Sequence, residues 1–374
     1  MGGNRTIDTM TRRTLVFGPA YLDRVLHVDR PLVDPNTGPP LDQSVDGAWK
    51  FGEGLTFVDP LGAELVVELP ADWPGPIGQV ALSRALRDGN AAPHHAVTGL
   101  SWHDDLGGMG AGYAAALGGE LISALGPDSD DTSQSIHTRL VRAEIPHHPI
   151  RIPAQGADWT LLVTSGRFGD KLPVGFRGCH ARLTSLEPWT SEPCDLRVVA
   201  SLPNALAAQA LRAEGAGVRF FAPAMRNMTD ETCPVADFAE TIDILSCNRY
   251  EWDQLRDREQ VAWRISILSI TDGAAGSEVR FTSPSGEPGL VRVPPFPRNH
   301  PPRDTNRAGE AYAATLVRTL LDHGWRPGVA DESLIQKAAV RASAAAALEL
   351  DRVRFGFPTS AEIEATLLVG RVQG

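Results

Sequence analysis

The chain has 374 residues, a formal charge of −11 and 42% hydrophobic residues. The acidic balance excludes nucleic acid or an anionic membrane surface as the main partner, while the apolar fraction supports a sizeable core. Cys179, Cys194, Cys233 and Cys247 form no CxxC pair and no zinc spacing, no apolar run reaches membrane-span length, and the N-terminal MGGNRTIDTMTRR has no hydrophobic region, so we expect a cytoplasmic protein with a frayed tail over residues 1–12.

By length, the chain is either several average domains or one large α/β domain. The elements begin at Thr14–Val28, TLVFGPAYLDRVLHV, which reads as a core strand, a Gly-Pro turn and a second strand. Residues 31–106 are rich in Pro, Gly and Asp, with short strand-like runs at 55–59 and 64–69. That is too long for a bare loop. Trp49, Phe51, Phe57 and Trp73 there either pack or face a ligand. His94, His95, His103, Asp104 and Asp105 lack metal-ligand spacing. Residues 107–126, GGMGAGYAAALGGELISALG, read as a Gly-rich turn, an Ala-rich helix and a strand, with no clear strand before them. The full GxGxxG fingerprint is not met, because Tyr113 stands at the third glycine position. Trp159–Thr164 is a strand, and its Gly/Pro punctuation points to a hairpin within 150–178; Arg167 in that stretch could hold an anion.

From Asp195 the pattern becomes regular. Apolar strands at LRVVAS, VRFFAPA, 241–246 and ISILSIT alternate with helices such as 204–214. Near-continuous apolar strands between helices imply a parallel sheet covered on both faces. Two strand ends carry chemistry. Asn248-Arg249-Tyr250-Glu251 is either a helix cap or a hard-cation site built from an amide beside a carboxylate. Thr271-Asp272-Gly273-Ala274-Ala275-Gly276 is either a hairpin turn or a turn shaped for phosphate. The spacing of Tyr312, Leu316 and Leu320 then sets a helix stopped by Gly324. Ala308, Gly309 and Glu310 lie at its N-terminus, where free N–H groups form an anion site and Gly309 admits a close ligand. Glu310 is either a favourable first-turn charge or a proton acceptor. An Ala-rich helix over 332–350 and a last helix from Ala361 complete the chain. No Walker A sequence occurs.

Asp304-Thr305-Asn306-Arg307-Ala308-Gly309-Glu310, followed by Tyr312, resembles the DTxGAGD signature of the ribokinase-like (PfkB-type) carbohydrate and nucleoside kinases. The GGMGA turn resembles that family's GGxGAN motif, and NRYE its NxxE motif. The resemblance spans about residues 13–369 in order. It implies an α/β fold with a central, mostly parallel sheet, helices on both faces and a small β lid. We expect one kinase domain over 13–370, with lid segments at 39–70 and 155–178 that pair with each other outside the main sheet. It also implies ATP and Mg²⁺, with a K⁺ site near Asp304 and the 351–358 turn. Glu310 would take the hydroxyl proton, with Ala308, Gly309 and Arg307 at the transferring phosphoryl. Asp23, Tyr21, Gly107, Gly108, Gly110 and Gly112 would hold the sugar or nucleoside. Asn248, Thr271, Gly273, Gly276 and Thr305 would face the nucleotide, and Glu251, Asn248 and Asp304 the metals. The family would have Glu251 act through Mg²⁺ rather than as a cap.

Four positions depart from the family pattern. Arg307 replaces a small residue, Glu310 an Asp, Gly112 an Asn, and Tyr21 an Asn found in some sugar kinases. No acidic residue follows the strand near Ser201, where ribokinases place one. A catalytically impaired ligand-binding or regulatory protein on the same fold is therefore the alternative reading. A nicotinamide-dependent dehydrogenase has only generic αβ alternation behind it. Exposed lid edges would favour a homodimer.

Overall fold

The structure, a computed structural model, describes residues 12–28, 44–48, 54–58, 64–68, 79–83, 99–165 and 170–372. Trp49, Phe51, Trp73, His94, His95 and Arg167, with the Phe57 side chain, lie outside the described residues. In chain order the strands are β1 (Thr14–Phe17), β2 (Tyr21–Val28), β3 (Ser44–Ala48), β4 (Gly54–Val58), β5 (Glu64–Glu68), β6 (Gln79–Ser83), β7 (Gly99–Gly107), β8 (Glu120–Leu125), β9 (His147–Arg151), β10 (Trp159–Ser165), β11 (Asp170–Phe176), β12 (Cys194–Ala200), β13 (Ala216–Ala222), β14 (Ile244–Asn248), β15 (Ile267–Thr271), β16 (Ser277–Thr282) and β17 (Pro288–Val293). The helices are α1 (Met109–Leu117), α2 (Asp131–Arg142), α3 (Asn204–Arg212), α4 (Met225–Met228), α5 (Arg249–Gln254), α6 (Arg258–Arg264), α7 (Ala308–Asp322), α8 (Glu332–Glu349) and α9 (Ser360–Val372).

Among the described residues, nine strands form the central sheet in the order β17-β16-β15-β14-β13-β12-β1-β8-β9. All four residues of β1 are buried, and so are Leu196, Val198, Val199, Phe220, Phe221, Ile244 and Leu245 on neighbouring strands. Burial of successive residues means that both faces are covered, as the apolar runs predict. From β9 to β15 the pairing is parallel; β16 and β17 close the edge antiparallel. β1 pairs with both β12 and β8, so the chain reverses its direction of sheet growth there. Such a reversal opens a crevice at the carboxyl ends of the strands. Gly18, Asn248 and Thr271 all lie at or just past such ends.

A second sheet, β11-β10-β2-β7, stands apart from the first. Among the described residues, the 155–178 strands therefore do not pair with those of 39–70. β10 runs parallel to β2 and antiparallel to β11, whereas β4 pairs with β5 and β3 with β6. The reason is local: β2 leaves the core directly after β1 and offers β10 a long parallel partner, register Trp159↔Leu22. β7 corrects another expectation, since a strand does precede the Gly-rich turn. Its run GLSWHDDLG is too polar to read as a buried strand, but it needs only to pair with β2. α2 and β9 also escaped the sequence reading. Arg12, assigned to the tail, is anchored: its guanidinium donates to Asp322 Oδ1 at 2.7 Å and to the Leu321 carbonyl at 2.6 Å.

Small residues set the helix layer. α1 packs on α7, and α7 on α8, through alanines that let the axes approach. The Asp331 side chain caps α8 by accepting the Ser333 N–H at 2.9 Å. Behind the sheet, the fully buried Arg197 of β12 gathers loose carbonyls. Its guanidinium donates to the carbonyls of Ala210 at 3.0 Å in the last turn of α3, of Ala213 at 2.6 Å and Glu214 at 3.0 Å just past it, and of Thr190 at 3.0 Å. Replacing it with an apolar side chain of similar length orphans several buried acceptors. Arg197→Met is expected to lower unfolding free energy by about 3 kcal/mol in urea titrations. A loss below about 1 kcal/mol would show that water satisfies those carbonyls instead.

Candidate active site

α7 begins at Ala308, and its N-cap is Arg307 in a left-handed conformation, φ 63°. The Ala311 N–H makes the first helical bond, to the Arg307 carbonyl at 2.8 Å. The N–H groups of Ala308, Gly309 and Glu310 precede it and have no partner within the helix. A Cβ built on Gly309 would meet nothing within 4 Å, so the helix start is open to a ligand.

A cavity of about 280 Å³ lies in front of that helix start. Thr305 and Arg307 line it from the turn before α7, Gly309 and Glu310 from α7, Gly107, Gly108 and Gly112 from the Gly-rich turn and α1, and Asp23 from β2. These are eight of the positions singled out in the sequence, drawn from three separate segments. The turn needs its glycines. A Cβ on Gly107 would lie 2.2 Å from the Asp23 carboxylate, and Gly108 has φ 91° with its backbone against Pro19. Gly110 lies deeper. Its backbone packs on Gly18 at the end of β1, where a Cβ would come within 2.4 Å of the Gly18 carbonyl carbon, and it does not line the cavity. Gly112 faces Glu310: a Cβ there would touch Glu310 Cγ and Phe357 Cζ, both at 3.4 Å. The smaller residue at 112 thus leaves room for the longer acid at 310.

Arg307 points away from the open N–H groups. Its Nε lies 3.1 Å from Glu349 Oε1 and its Nη1 4.0 Å from Asp105 Oδ2, with Phe355 at 6.0 Å. Glu349 is wholly buried, and Asp105 also accepts the Phe355 N–H at 2.7 Å. Neither acid was assigned from the sequence. Glu349 had a signal, being the one acid in the run 338–350 and in helical register with Ala345, Ala342 and Ala338. Burial pushes its carboxyl up to about 7, and the Glu310 charge pushes the same way.

Asn248, Glu251, Thr271 and Gly273 line a second recess of about 350 Å³ with Arg249 and Asp272. Asn248 and Thr271 are direct partners at the ends of β14 and β15. Here Glu251 does close a capping box, contrary to the expectation for it. Asn248 Oδ1 accepts the Glu251 N–H at 2.7 Å, and Glu251 Oε2 accepts the Asn248 N–H at 3.0 Å. Burial pushes this carboxyl up to about 7, and Glu310 again raises it. Besides Gly110 and Ala308, three predicted residues line neither the cavity nor the recess. Tyr21 is buried edge-on to His180 at 5.6 Å, with the Arg177 guanidinium 4.5 Å over its ring. Gly276, φ 93°, packs on the Val293 carbonyl at the turn between β15 and β16. Asp304 directs its two oxygens to Asn306, at 2.8 Å to the N–H and 3.3 Å to the side-chain amide.

No family model matches the sequence, and no curated protein matches it. Solved structures do match. The nucleoside kinase of Burkholderia thailandensis, in complex with inosine, superposes with TM-score 0.63 at 16% identity, over 96% of this chain and 98% of that one. The chain has the ribokinase-like fold. The ribokinase of Cryptococcus neoformans var. grubii, in complex with ADP, matches at TM-score 0.59 and 14% identity, covering 96% and 100%. The phosphofructokinase-2 of Escherichia coli, in complex with potassium, matches at 0.60 and 13%, again covering 96% and 100%. Within this ribokinase-like fold, the recess sits at the carboxyl ends of the parallel strands β14 and β15.

The raised carboxyl of Glu251 has a consequence for stability. Its pKa is about 7 in the folded chain against 4.5 for a free glutamate. The protonated form is therefore favoured by folding, and that stability is lost as pH climbs from the lower value through the upper one. Glu251→Gln keeps an acceptor for the Asn248 N–H but removes the charge. Between pH near 5 and pH near 8 the native chain is expected to lose roughly 1–3 kcal/mol more than this variant. Equal pH slopes for the two chains would show that Glu251 stays ionised at little cost.

Proposed function

We propose that the chain transfers a phosphoryl group from ATP to a hydroxyl of a sugar or nucleoside. The observation that carries this is the convergence of an acid, Glu310, with an unobstructed helix N-terminus in one cavity lined by Asp23 and the Gly107–Gly108 backbone. Phosphoryl transfer asks little covalent chemistry of a protein. It needs positioning, stabilisation of charge on the phosphoryl oxygens and a base near the attacking hydroxyl. Each has a candidate.

Asp23 and the glycine turn would orient the acceptor through hydrogen bonds to its hydroxyls. The Glu310 carboxylate would accept the proton of the reacting hydroxyl. The N–H groups of Ala308 and Gly309, with the helix dipole, would face the transferring oxygens. Arg307 stays paired to Glu349 and leaves that approach clear. The nucleotide would extend toward Asn248, Thr271 and Gly273.

The fit to Mg²⁺ rests on charge. Glu251 and Glu349 are held up near 7, and Glu310 contributes to both. A hard divalent cation bound nearby would relieve that repulsion and supply Lewis-acid stabilisation to phosphate oxygens. Glu251 and Asn248 would hold it, through water. Small polar ligands, and a cytoplasmic setting where ATP is supplied, go with this reading. The solved neighbours bound to inosine and to ADP support ligands of that kind.

The test is at Glu310. Glu310→Gln keeps the shape and removes the base, so turnover is expected to fall by about a hundred- to ten-thousandfold with ADP binding retained. Glu310→Asp draws the carboxylate back from its packing against Gly112 and Phe357 and is expected to fall short of the native rate by roughly tenfold or more. Undiminished turnover in Glu310→Gln would remove Glu310 from the chemistry. Ligand binding without any turnover in the native chain would leave a binding protein on a kinase fold.

A further inference from the structure

Away from that cavity, three buried side chains of different chemistry converge. Asp158 directly precedes β10, while Cys179 and His180 open the short 3-10 turn after β11. They stand at the two feet of the β10–β11 hairpin, where Trp159 pairs with Phe176. Asp158 and Cys179 are fully buried, and His180 is 6% exposed. His180 Nδ1 lies 3.0 Å from Asp158 Oδ2 and 3.8 Å from Cys179 Sγ. One donor atom from each residue lies within 4.8 Å of the other two.

Hydrogen bonding accounts poorly for this arrangement. An imidazole Nδ1 carries either one proton or one lone pair, lying in the ring plane. It cannot serve the carboxylate and the thiol at once. Asp158 Oδ2 receives no aligned hydrogen bond despite its short distance to the ring, and His180 Nε2 has none either among the described residues. The other carboxylate oxygen is satisfied, since Asp158 Oδ1 accepts the Gly178 N–H. A ligand oriented in this way by a neighbouring backbone group is typical of metal centres.

We propose that Asp158 Oδ2, Cys179 Sγ and His180 Nδ1 form a site for a divalent zinc-type cation. Zinc binds O, N and S at about 2.0–2.3 Å, which sets tetrahedral ligand atoms about 3.2–3.8 Å apart. The His180–Asp158 and His180–Cys179 separations need shifts of only a few tenths of an ångström, and the Asp158–Cys179 separation is within 4.8 Å. Charge also closes: a thiolate, a carboxylate and a neutral imidazole around a 2+ ion sum to zero, as a buried centre requires. Hard cations such as Mg²⁺ prefer all-oxygen sets, so this site and the acidic recess select different metals. The ion would tie both feet of the hairpin together. Because β10 pairs with β2, that brace lies two strand positions from Asp23.

The experiment needs no kinase activity, so it stands or falls apart from the proposed function. The purified chain is equilibrated with micromolar zinc, dialysed and analysed for metal; a second sample is loaded with Co²⁺ and its absorption recorded. About one zinc per chain is expected, with a thiolate-to-cobalt charge-transfer band in the cobalt sample. Cys179→Ser should lose that band, while Glu251→Gln and Glu310→Gln should keep both band and zinc. A folded native chain that retains no zinc and shows no charge-transfer band overturns the proposal and leaves a buried Asp–His pair beside a thiol. If Cys179→Ser fails to fold, the native cobalt spectrum decides alone.

Discussion

The ion pair between Arg307 and Glu349 is the contact on which the cavity depends. A non-glycine residue in left-handed backbone costs about 1 kcal/mol or more, and burying a carboxylate costs several. Neither cost is repaid locally. Together they are offset, because the Arg307 turn aims its guanidinium at the end of α8 and gives Glu349 a cation at 3.1 Å. The same geometry takes the arginine out of the path to Gly309. Loss of either partner would leave a buried charge in the wall of the cavity, which is more damaging than loss of both.

Around that pair, carboxylates outnumber cations. Asp23 lies directly opposite Asp105 across the β2–β7 ladder, and Glu310 presses upward on the carboxyls of both Glu251 and Glu349. Like charges gathered at a strand-end crevice cost stability unless something bound there offsets them. A cation with a polyphosphate and a polyol would do so, as would proton uptake. Under the proposed function, stability and ligand binding would be linked through the same few side chains.

Much of this was legible in the sequence. Regular apolar runs from β12 onward gave the parallel sheet, because strands buried on both faces have no polar face to confuse the pattern. The Gly-rich turn, NRYE and the start of α7 were legible because each needs particular residues at particular positions. β7 was not legible, since a strand that pairs with β2 outside the main core has no strong apolar period. The β10–β2 pairing was hidden for a related reason: local patterning shows that a strand exists but not which partner it finds. Tyr21 and Glu251 were misjudged by position alone. Tyr21 stands two residues from Asp23 on the same strand but packs on His180 and Arg177, and Glu251 closes its own helix. Glu349 and Asp105 were missed because a buried ionic partner can lie anywhere in the chain.

The central claim is that this cavity joins an acceptor hydroxyl to a nucleotide phosphate. Its most direct test is ADP release from ATP and Mg²⁺, measured across a panel of sugars and nucleosides. The account predicts that one acceptor class raises ADP release well above the acceptor-free rate. Uniform background release across the panel, from a chain that still binds ADP, would contradict it.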